Sequence, residues 1–170
     1  MKVLIMSDSH GLTEEIQQIK ARHEGEIEAA IHCGDSELPK DAPEMDSLLA
    51  VRGNCDYDAA YPNDLTETIG GRRFFVTHGH HYNVKMTLMN LAYKSEEAEA
   101  DIVCFGHSHA AGSEMIGKSL FINPGSIRQP RGRIEKTYVI LEINGEEAKV
   151  TFFDTEGNPV QALSRIYQLS

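Results

Sequence analysis

The chain lacks any long hydrophobic run, and this absence limits where the protein can work. No apolar stretch in its 170 residues approaches the roughly 20 residues of a membrane span. The opening run ends at Ser7-Asp8, before it reaches the about 7–15 residues of a signal-peptide core. Internal repeats, low-complexity tracts and linkers are also missing. We therefore expect a cytoplasmic protein without a membrane partner, built as a single domain over residues 1–170.

Cysteine is scarce as well. The three cysteines, Cys33, Cys55 and Cys104, form no Cys-x-x-Cys pair, which excludes a zinc knuckle with thiolate ligands. Three cysteines cannot all be disulfide-bonded within one chain, so their number favours a reducing compartment. We expect Cys33 and Cys104 to lie in the hydrophobic core.

Positive charge is the third deficit, since the formal net charge is −10. Non-specific binding to long nucleic acid or to an anionic membrane needs a positive field, so the composition disfavours both partners. The only basic concentration is the loop Asn123–Arg133, which carries Arg128, Arg131 and Arg133. Two interpretations of Arg128 and Arg131 stay open. They belong to a solvated loop, or they form a rim that receives substrate phosphate, because guanidinium groups match phosphate oxygens.

What the chain does have is a set of short apolar runs separated by turn and helix signals. The runs predict five strands, namely Val3–Met6, Ala29–Ile31, Leu48–Val51, Phe74–Val76 and Ile102–Phe105. Helical spacing predicts one helix over Thr13–Arg22 and a second that includes Val84, Leu88 and Leu91 and ends before Ala100. Turn residues at Gly70-Gly71, Gly117 and Asn144-Gly145 predict antiparallel hairpins. We therefore predict an α/β fold in the form of a mixed sandwich.

Each of the five runs is followed within a few residues by side chains that can hold a metal ion. In order these are Asp8 and His10, Asp35, Asn54, His78, and finally His107 and His109. Parallel strands place ligand sites at their carboxyl ends, so these residues are expected to converge. In extended backbone Asp8 and His10 face one side, and His107 and His109 repeat this arrangement. Glycines before Asp35 and Asn54 would let the backbone turn sharply.

The competing interpretation treats these residues as structural. Asp8 and Asp35 would cap helices, Asn54 would occupy a turn, and the histidine pair would form ordinary hydrogen bonds. Their joint occurrence favours the metal interpretation. Oxygen and nitrogen ligands without thiolate suit Mn²⁺, iron or Zn²⁺ better than Ca²⁺. For His23 and His32 we expect a structural role.

The ordered blocks resemble those of the calcineurin-like metallophosphoesterase superfamily. They are Asp8-Ser9-His10, Gly34-Asp35, Gly53-Asn54, His78-Gly79-His80 and Gly106-His107-Ser108-His109. The segments Asn54-Cys55-Asp56 and Asn123-Pro124-Gly125-Ser126 are most similar to the small bacterial and archaeal phosphodiesterases of the YfcE and MJ0936 type. The resemblance covers nearly the whole chain. It implies an αββα fold, with two mixed β-sheets packed as a sandwich and flanked by helices.

The resemblance also implies two ligand sets. Asp8, His10, Asp35 and His109 would hold one ion, and Asp35, Asn54, His78 and His107 would hold the second, with Asp35 bridging. The implied cofactors are two divalent transition-metal ions, Mn²⁺ first, with iron, Zn²⁺ and Ni²⁺ as alternatives. Such a pair, about 3.5–4 Å apart, activates a bridging hydroxide for attack on a phosphate ester. The implied activity is hydrolysis of a small phosphodiester.

One position departs from the wider family. Many members have histidine after the Gly-Asn pair, where it can protonate the leaving oxygen, whereas this chain has Cys55. A thiol with an ordinary pKa of about 8.5 matches that proton transfer poorly at neutral pH. His80 is the best substitute as the catalytic acid, with His81 behind it.

Two other functions compete with this prediction. The stretch His78-Gly79-His80-His81 resembles the zinc motif of metallo-β-lactamase-like enzymes, but Tyr82-Asn83 replaces the required Asp-His. The stronger alternative is a non-catalytic interaction scaffold, because the retromer scaffold subunit has this fold and lacks part of the ligand set. All seven ligand positions are filled here, which favours catalysis. The antiparallel C-terminal strands offer an edge for pairing, so a homo-oligomer is possible in principle.

Overall fold

The computed structural model describes residues 1–170 and contains eleven strands in two sheets. In chain order they are β1 (Lys2–Met6), β2 (Ala29–His32), β3 (Leu48–Ala50), β4 (Asp64–Ile69), β5 (Arg72–Thr77), β6 (Ile102–Cys104), β7 (Gly112–Ile116), β8 (Ser119–Asn123), β9 (Thr137–Asn144), β10 (Glu147–Asp154) and β11 (Arg165–Gln168). The first sheet has the order β11-β10-β9-β1-β2-β3, and the second has the order β4-β5-β6-β8-β7.

Both sheets are mixed, as predicted. In the first sheet β1, β2 and β3 run parallel, while β9, β10 and β11 pair antiparallel. In the second sheet β5, β6 and β8 run parallel, with β4 and β7 antiparallel at the edges. The hairpins predicted at Gly70-Gly71, Gly117 and Asn144-Gly145 are all present. The five runs thus divide into three neighbouring strands of one sheet and two of the other.

The apolar runs are buried on both faces. Val3 and Ile5 of β1 meet Phe74 and Val76 of β5 between the sheets. The alternate residues of β1 pack instead with Ile16 of the first helix on the outer face. This is why the strands are nearly continuous in hydrophobicity, as strands with both faces covered usually are. The αββα layering follows from this double burial.

Two α-helices cover the sandwich. Helix α1 (Glu14–Arg22) buries Ile16 and Ile19 and begins one residue after the predicted start at Thr13. Helix α2 (Met89–Glu97) begins later than predicted, so Val84 and Leu88 lie outside it. Residues 83–86 form a separate turn instead, in which the Met86 and Thr87 N–H groups donate to the carbonyl of the left-handed Asn83 (φ 55°). Neither helix is long and apolar enough to cross a membrane.

Two short elements differ from the sequence-based expectation. A 3₁₀ turn, Pro43–Met45, forms in the proline-containing segment after Asp35. Strand β11 has no apolar run and was not predicted, because its residues are mostly exposed at the edge of the first sheet. It pairs antiparallel with β10, from Glu147 opposite Gln168 to Val150 opposite Arg165.

Candidate metal centre

The seven predicted ligands come together where the carboxyl ends of the parallel strands of both sheets meet. Segments after β1, β2 and β3 provide Asp8, His10, Asp35 and Asn54, while segments after β5 and β6 provide His78, His107 and His109. The centre therefore lies at the seam between the two sheets. Its donor atoms form two groups.

The first group contains Asp8, His10 and His109, whose donor atoms all lie within 4.8 Å of one another. His109 Nε2 lies 3.2 Å from Asp8 Oδ1 and 3.3 Å from His10 Nε2. The side chain of Asp8 is completely buried, and His109 is nearly so. One carboxylate and two imidazoles thus face a common point.

The second group contains Asp35, His78 and His107, again with donor atoms within 4.8 Å of one another. His78 Nε2 lies 3.1 Å from Asp35 Oδ2 and 3.0 Å from Asn54 Oδ1. The same Asp35 oxygen lies 3.9 Å from His10 Nε2 in the first group. Asp35 is therefore located between the groups, where a shared ligand would have to be.

Three imidazoles are oriented by hydrogen bonds from their other ring nitrogen. His78 Nδ1 donates to the Cys33 carbonyl and His109 Nδ1 to the Gln129 carbonyl, both at 2.7 Å. His10 Nδ1 lies 3.0 Å from the Glu37 carboxylate. These contacts leave each Nε2 directed at the centre, which is the arrangement of outer contacts that orients metal-binding histidines.

The backbone around the ligands is not extended, contrary to the sequence-based expectation. Five of the seven have left-handed φ angles, namely Asp8 (54°), His10 (41°), Asp35 (60°), His107 (70°) and His109 (59°). Such angles are uncommon for residues with a Cβ and persist where the surroundings enforce them. Asp8 and His10, and likewise His107 and His109, therefore reach one side through tight turns.

The glycines before Asp35 and Asn54 have different roles. Gly34 adopts φ 99°, as a sharp turn requires. Gly53 has no such angle, but a Cβ there would collide with the Asp35 carboxylate. The predicted turn is present at Gly53, since the Asp56 N–H donates to its carbonyl at 3.3 Å. The glycine is explained by the close approach of the two ligand loops and not by its backbone angle.

The charge state of the centre suits a cation. Burial would raise the pKa of Asp8, but the close contact with His109 and the charge of His78 outweigh it and lower that pKa. Burial is likewise outweighed at Asp35, whose pKa is lowered by its contact with His78. Both carboxylates are therefore ionised at neutral pH. The pKa of His109 is raised chiefly by its close contact with Asp8.

One buried atom supports the fit of this donor set to a metal ion. Asp8 Oδ1 is buried and makes no well-formed hydrogen bond, its near neighbour being the ring nitrogen His109 Nε2 at 3.2 Å, whereas Asp8 Oδ2 accepts hydrogen bonds from Ser7 Oγ and the His107 N–H. Leaving an ionised oxygen buried and unsatisfied is costly, and a divalent cation would remove that cost. Carboxylate, amide and imidazole donors are those that such ions take.

Comparison with known proteins agrees with this geometry. The calcineurin-like phosphoesterase superfamily domain matches residues 1–146. The chain belongs to this superfamily. The probable metallophosphoesterase YsnB of Bacillus subtilis is 50% identical over 163 residues, covering 96% of each chain. Phosphodiesterase MJ0936 of Methanocaldococcus jannaschii is 32% identical, covering 74% of this chain and 83% of that one. A predicted phosphoesterase of Streptococcus pneumoniae superposes with a TM-score of 0.94 at 37% identity, covering 98% and 97% of the chains.

The protein is thus a metal-dependent phosphoesterase, and its structure reveals a supporting residue that sequence reasoning missed. Asp56 is buried and accepts three backbone hydrogen bonds, from Asp35 (2.9 Å), Gly53 (2.6 Å) and Glu37 (2.8 Å). It therefore joins the loop of Asp35 to the turn that carries Asn54. The only sequence signal was its place in the Asn54-Cys55-Asp56 segment.

Cys55 lies at the margin of the phosphoesterase centre. Its Sγ is within 4.8 Å of donor atoms of His10 and Asp35, and its backbone N–H donates to Asp35 Oδ1 at 2.8 Å. Burial and the charges of Asp35 and Glu37 raise the pKa of the thiol to about 11. The metal-free protein therefore keeps Cys55 as a neutral thiol at pH 7.

His80, the predicted catalytic acid, lies beside the second donor group. Its ring centroid is 5.3 Å from that of His78 and 6.0 Å from that of His107, and its Nδ1 is buried without a partner. Burial, together with the charge of His78, lowers the pKa of His80 to about 4 in the metal-free protein. The His81 ring is 3.9 Å away and more exposed.

The basic loop reaches the first donor group. The Arg128 guanidinium donates to the His10 carbonyl, and the backbone N–H of Arg131 donates to the His109 carbonyl at 3.0 Å. Arg133 lies 3.5 Å from Glu135. The side chain of Arg128 and the backbone of Arg131 are therefore attached to predicted ligand residues.

Proposed function

We propose that this phosphoesterase hydrolyses small phosphodiesters with two divalent ions held at the seam between the sheets. The observation that carries the proposal is the pair of donor groups separated by Asp35, with Asp8 Oδ1 buried and unsatisfied in one of them. A single ion could not use seven donors arranged in two groups. The name of MJ0936 as a phosphodiesterase supports the diester class.

The residues would divide between the ions as the donor groups suggest. Asp8, His10, Asp35 and His109 would hold one, and Asp35, Asn54, His78 and His107 the other. Mn²⁺ is the first choice, with iron, Zn²⁺ and Ni²⁺ as alternatives, because the donors are carboxylate, amide and imidazole. When bound, the ions would supply Lewis-acid charge for the phosphoryl oxygens and activate a water molecule as nucleophile.

The remaining work would fall to the chain's own side chains. Arg128 and Arg131 would receive the phosphate, because the Arg128 guanidinium contacts His10, the Arg131 backbone contacts His109, and both belong to a basic loop of an acidic protein. His80 would face the leaving group, because it lies beside His78 and His107 with a buried, unpartnered Nδ1. A small diester suits the net charge of −10 better than a long polyanion.

A substrate panel tests the proposal. Phosphomonoesters and phosphodiesters are assayed with Mn²⁺, Zn²⁺ and Mg²⁺, and bound metal is counted in the same preparations. We expect diesters to be preferred and close to two ions per chain. The variant Asp35→Asn should lose both metal and activity, whereas Glu67→Gln, which removes one charge on exposed β4, should change neither.

Three results would contradict parts of the proposal. A preference for monoesters would overturn the substrate class. Full activity and metal content in Asp35→Asn would overturn the ligand assignment. Failure of the unaltered protein to retain close to two ions, together with the absence of metal-dependent hydrolysis, would favour the non-catalytic scaffold.

A further inference from the structure

The imidazole of His32 joins two of the ligand loops without touching a ligand donor atom itself. His32 ends β2 and is completely buried. Its Nδ1 lies 3.1 Å from the Gly34 N–H, and its Nε2 lies 2.8 Å from Ser9 Oγ. A backbone N–H can only donate, so Nδ1 must be the acceptor. Nε2 therefore carries the ring proton and donates to Ser9.

The two loops carry residues of both donor groups. Ser9 lies between Asp8 and His10, and Gly34 immediately precedes Asp35. The loops also exchange backbone hydrogen bonds, from Asp8 N–H to the Gly34 carbonyl (3.0 Å) and from His10 N–H to the Asp35 carbonyl (2.9 Å). His32 adds the side-chain connection between the same two segments.

These connections matter because the loops are strained. Asp8, His10 and Asp35 all have left-handed backbone angles, which cost energy unless surrounding contacts impose them. A hydrogen bond to Ser9 restrains one loop between its two ligands. A hydrogen bond from Gly34 restrains the other directly before Asp35.

We propose that His32 is a positioning residue of the metal centre, which holds the loops of Asp8, His10 and Asp35 in their ion-binding arrangement through Ser9 and Gly34. The inference rests on the metal centre proposed above. Outer contacts of this kind typically change metal affinity by about 10–100-fold when they are removed. A residue that only fills the core would change folding stability and leave metal affinity unaltered.

His23 provides a matched control for this distinction. It is also a buried histidine with both ring nitrogens in hydrogen-bond range, to Glu26 and to the Tyr138 hydroxyl, each at 2.8 Å. It lies at the end of α1 and contacts no ligand loop. His23→Gln should therefore lower the melting temperature while leaving metal binding unchanged.

The test compares Ser9→Ala, His32→Asn and the double variant. Asparagine can offer its amide oxygen to Gly34 but is too short to reach Ser9, so both single variants remove the same hydrogen bond from opposite ends. Mn²⁺ binding is titrated by electron paramagnetic resonance of the free ion, and the melting temperature is measured on the metal-free proteins. We expect at least one ion to bind about tenfold more weakly in each single variant. The double variant should bind Mn²⁺ no more weakly than the single variant with the lower affinity. Both substitutions remove the same hydrogen bond, so their effects should not add.

Failure of the positioning role of His32 and failure of the proposed function would give different results. If Ser9→Ala retains the parent affinity within about twofold, or if the losses add in the double variant, the positioning role is wrong. Ser9→Ala alone decides the question if His32→Asn does not fold. If the unaltered protein binds no Mn²⁺ or other divalent ion, the proposed function fails instead.

Discussion

The first sheet supplies every oxygen ligand proposed for the metal centre, whereas the second sheet supplies only imidazoles. Asp8, Asp35 and Asn54 follow strands of the first sheet, together with His10, while His78, His107 and His109 follow strands of the second. The first sheet can thus neutralise positive charge, and the second can add neutral donors. Neither sheet alone provides the set that two divalent ions need, so binding requires the packed sandwich.

Removing a carboxylate should therefore cost more than removing an imidazole. We expect Asp8→Asn to lower kcat by about a thousandfold, equal to about 4 kcal/mol of barrier, because the buried anion that faces the ion is lost. His107→Asn should cause a loss at least about tenfold smaller. Steady-state rates and metal content of both variants measure the difference. Equal losses would show that charge does not distinguish the sheets.

His80 follows β5 of the second sheet, and its substitution tests whether an imidazole from that sheet protonates the leaving group. Because the pKa of His80 is about 4, the ring carries its second proton mainly in acid. At acidic pH we therefore expect His80→Ala to slow esters with poor leaving groups by about a hundredfold and to leave nitrophenyl esters nearly unchanged. The ratio of kcat values for the two substrate types measures this effect. Equal losses on both types would remove His80 as the proton donor.

Removing the metal ions should lower the stability of the folded protein, because the proposed ligands come from both sheets. Ions present at about 100 times their dissociation constant stabilise a folded protein by about 2.7 kcal/mol. For a chain of this size, chelation should therefore lower the melting temperature by about 5–10 °C. Calorimetry with and without chelator measures the shift. Asp35→Asn should show no shift; a shift as large as the parent's would place the stabilising ion elsewhere.

The buried His32 of the first sheet should make stability depend on pH. Burial lowers the pKa of His32 to about 4, while the unfolded chain keeps a value of about 6.5. Unfolding therefore takes up a proton between these values, so the free energy of unfolding falls as the pH drops below about 6.5. Between pH 7 and pH 5 the metal-free parent should lose about 2 kcal/mol more than His32→Asn. Urea unfolding at both pH values measures this, and equal losses would contradict a neutral buried imidazole.

The smallest expected effect concerns the loop that connects the second sheet to the first between β8 and β9. The Arg128 guanidinium contacts His10 and the Arg131 backbone contacts His109, so both side chains begin beside the first donor group. We expect the double variant Arg128→Ala, Arg131→Ala to raise KM about tenfold with little change in kcat. Arg133→Ala is the matched control, since Arg133 lies against Glu135. An unchanged KM would make the basic loop a solvated connection.

The sequence was sufficient to predict the fold class and the seven residues that converge. Burial on both faces makes the strands that lead to the centre into continuous apolar runs, such as Val3–Met6, and these are visible without a structure. Strand β11 is exposed and has no such run. The start of α2 was predicted too early because residues 83–86 form a separate turn although Val84, Leu88 and Leu91 have helical spacing.

The supporting contacts of the centre were much harder to predict. Asp56 accepts hydrogen bonds from backbone N–H groups, and the Glu37 carboxylate lies beside a ring nitrogen of His10. Only the folded chain brings these groups together. The turns at Asp8 and His107 also depend on tertiary contacts, since aspartate and histidine tolerate φ values of 54° and 70° better than most residues but do not adopt them by default. Periodicity indicates which face a side chain occupies, but it does not report the conformation of a loop after the strand ends.

The left-handed ligand backbone gives a way to recognise relatives that have abandoned metal binding. Glycine adopts these φ angles without strain, whereas each of the five ligand residues gives up about 1 kcal/mol or more to do so. In a lineage no longer selected for hydrolysis, glycine at these positions would relieve strain while the sandwich persists. Glycine at the position of Asp8 or Asp35 in an otherwise matching chain would therefore indicate a relative that retains the fold for a function other than metal-dependent hydrolysis.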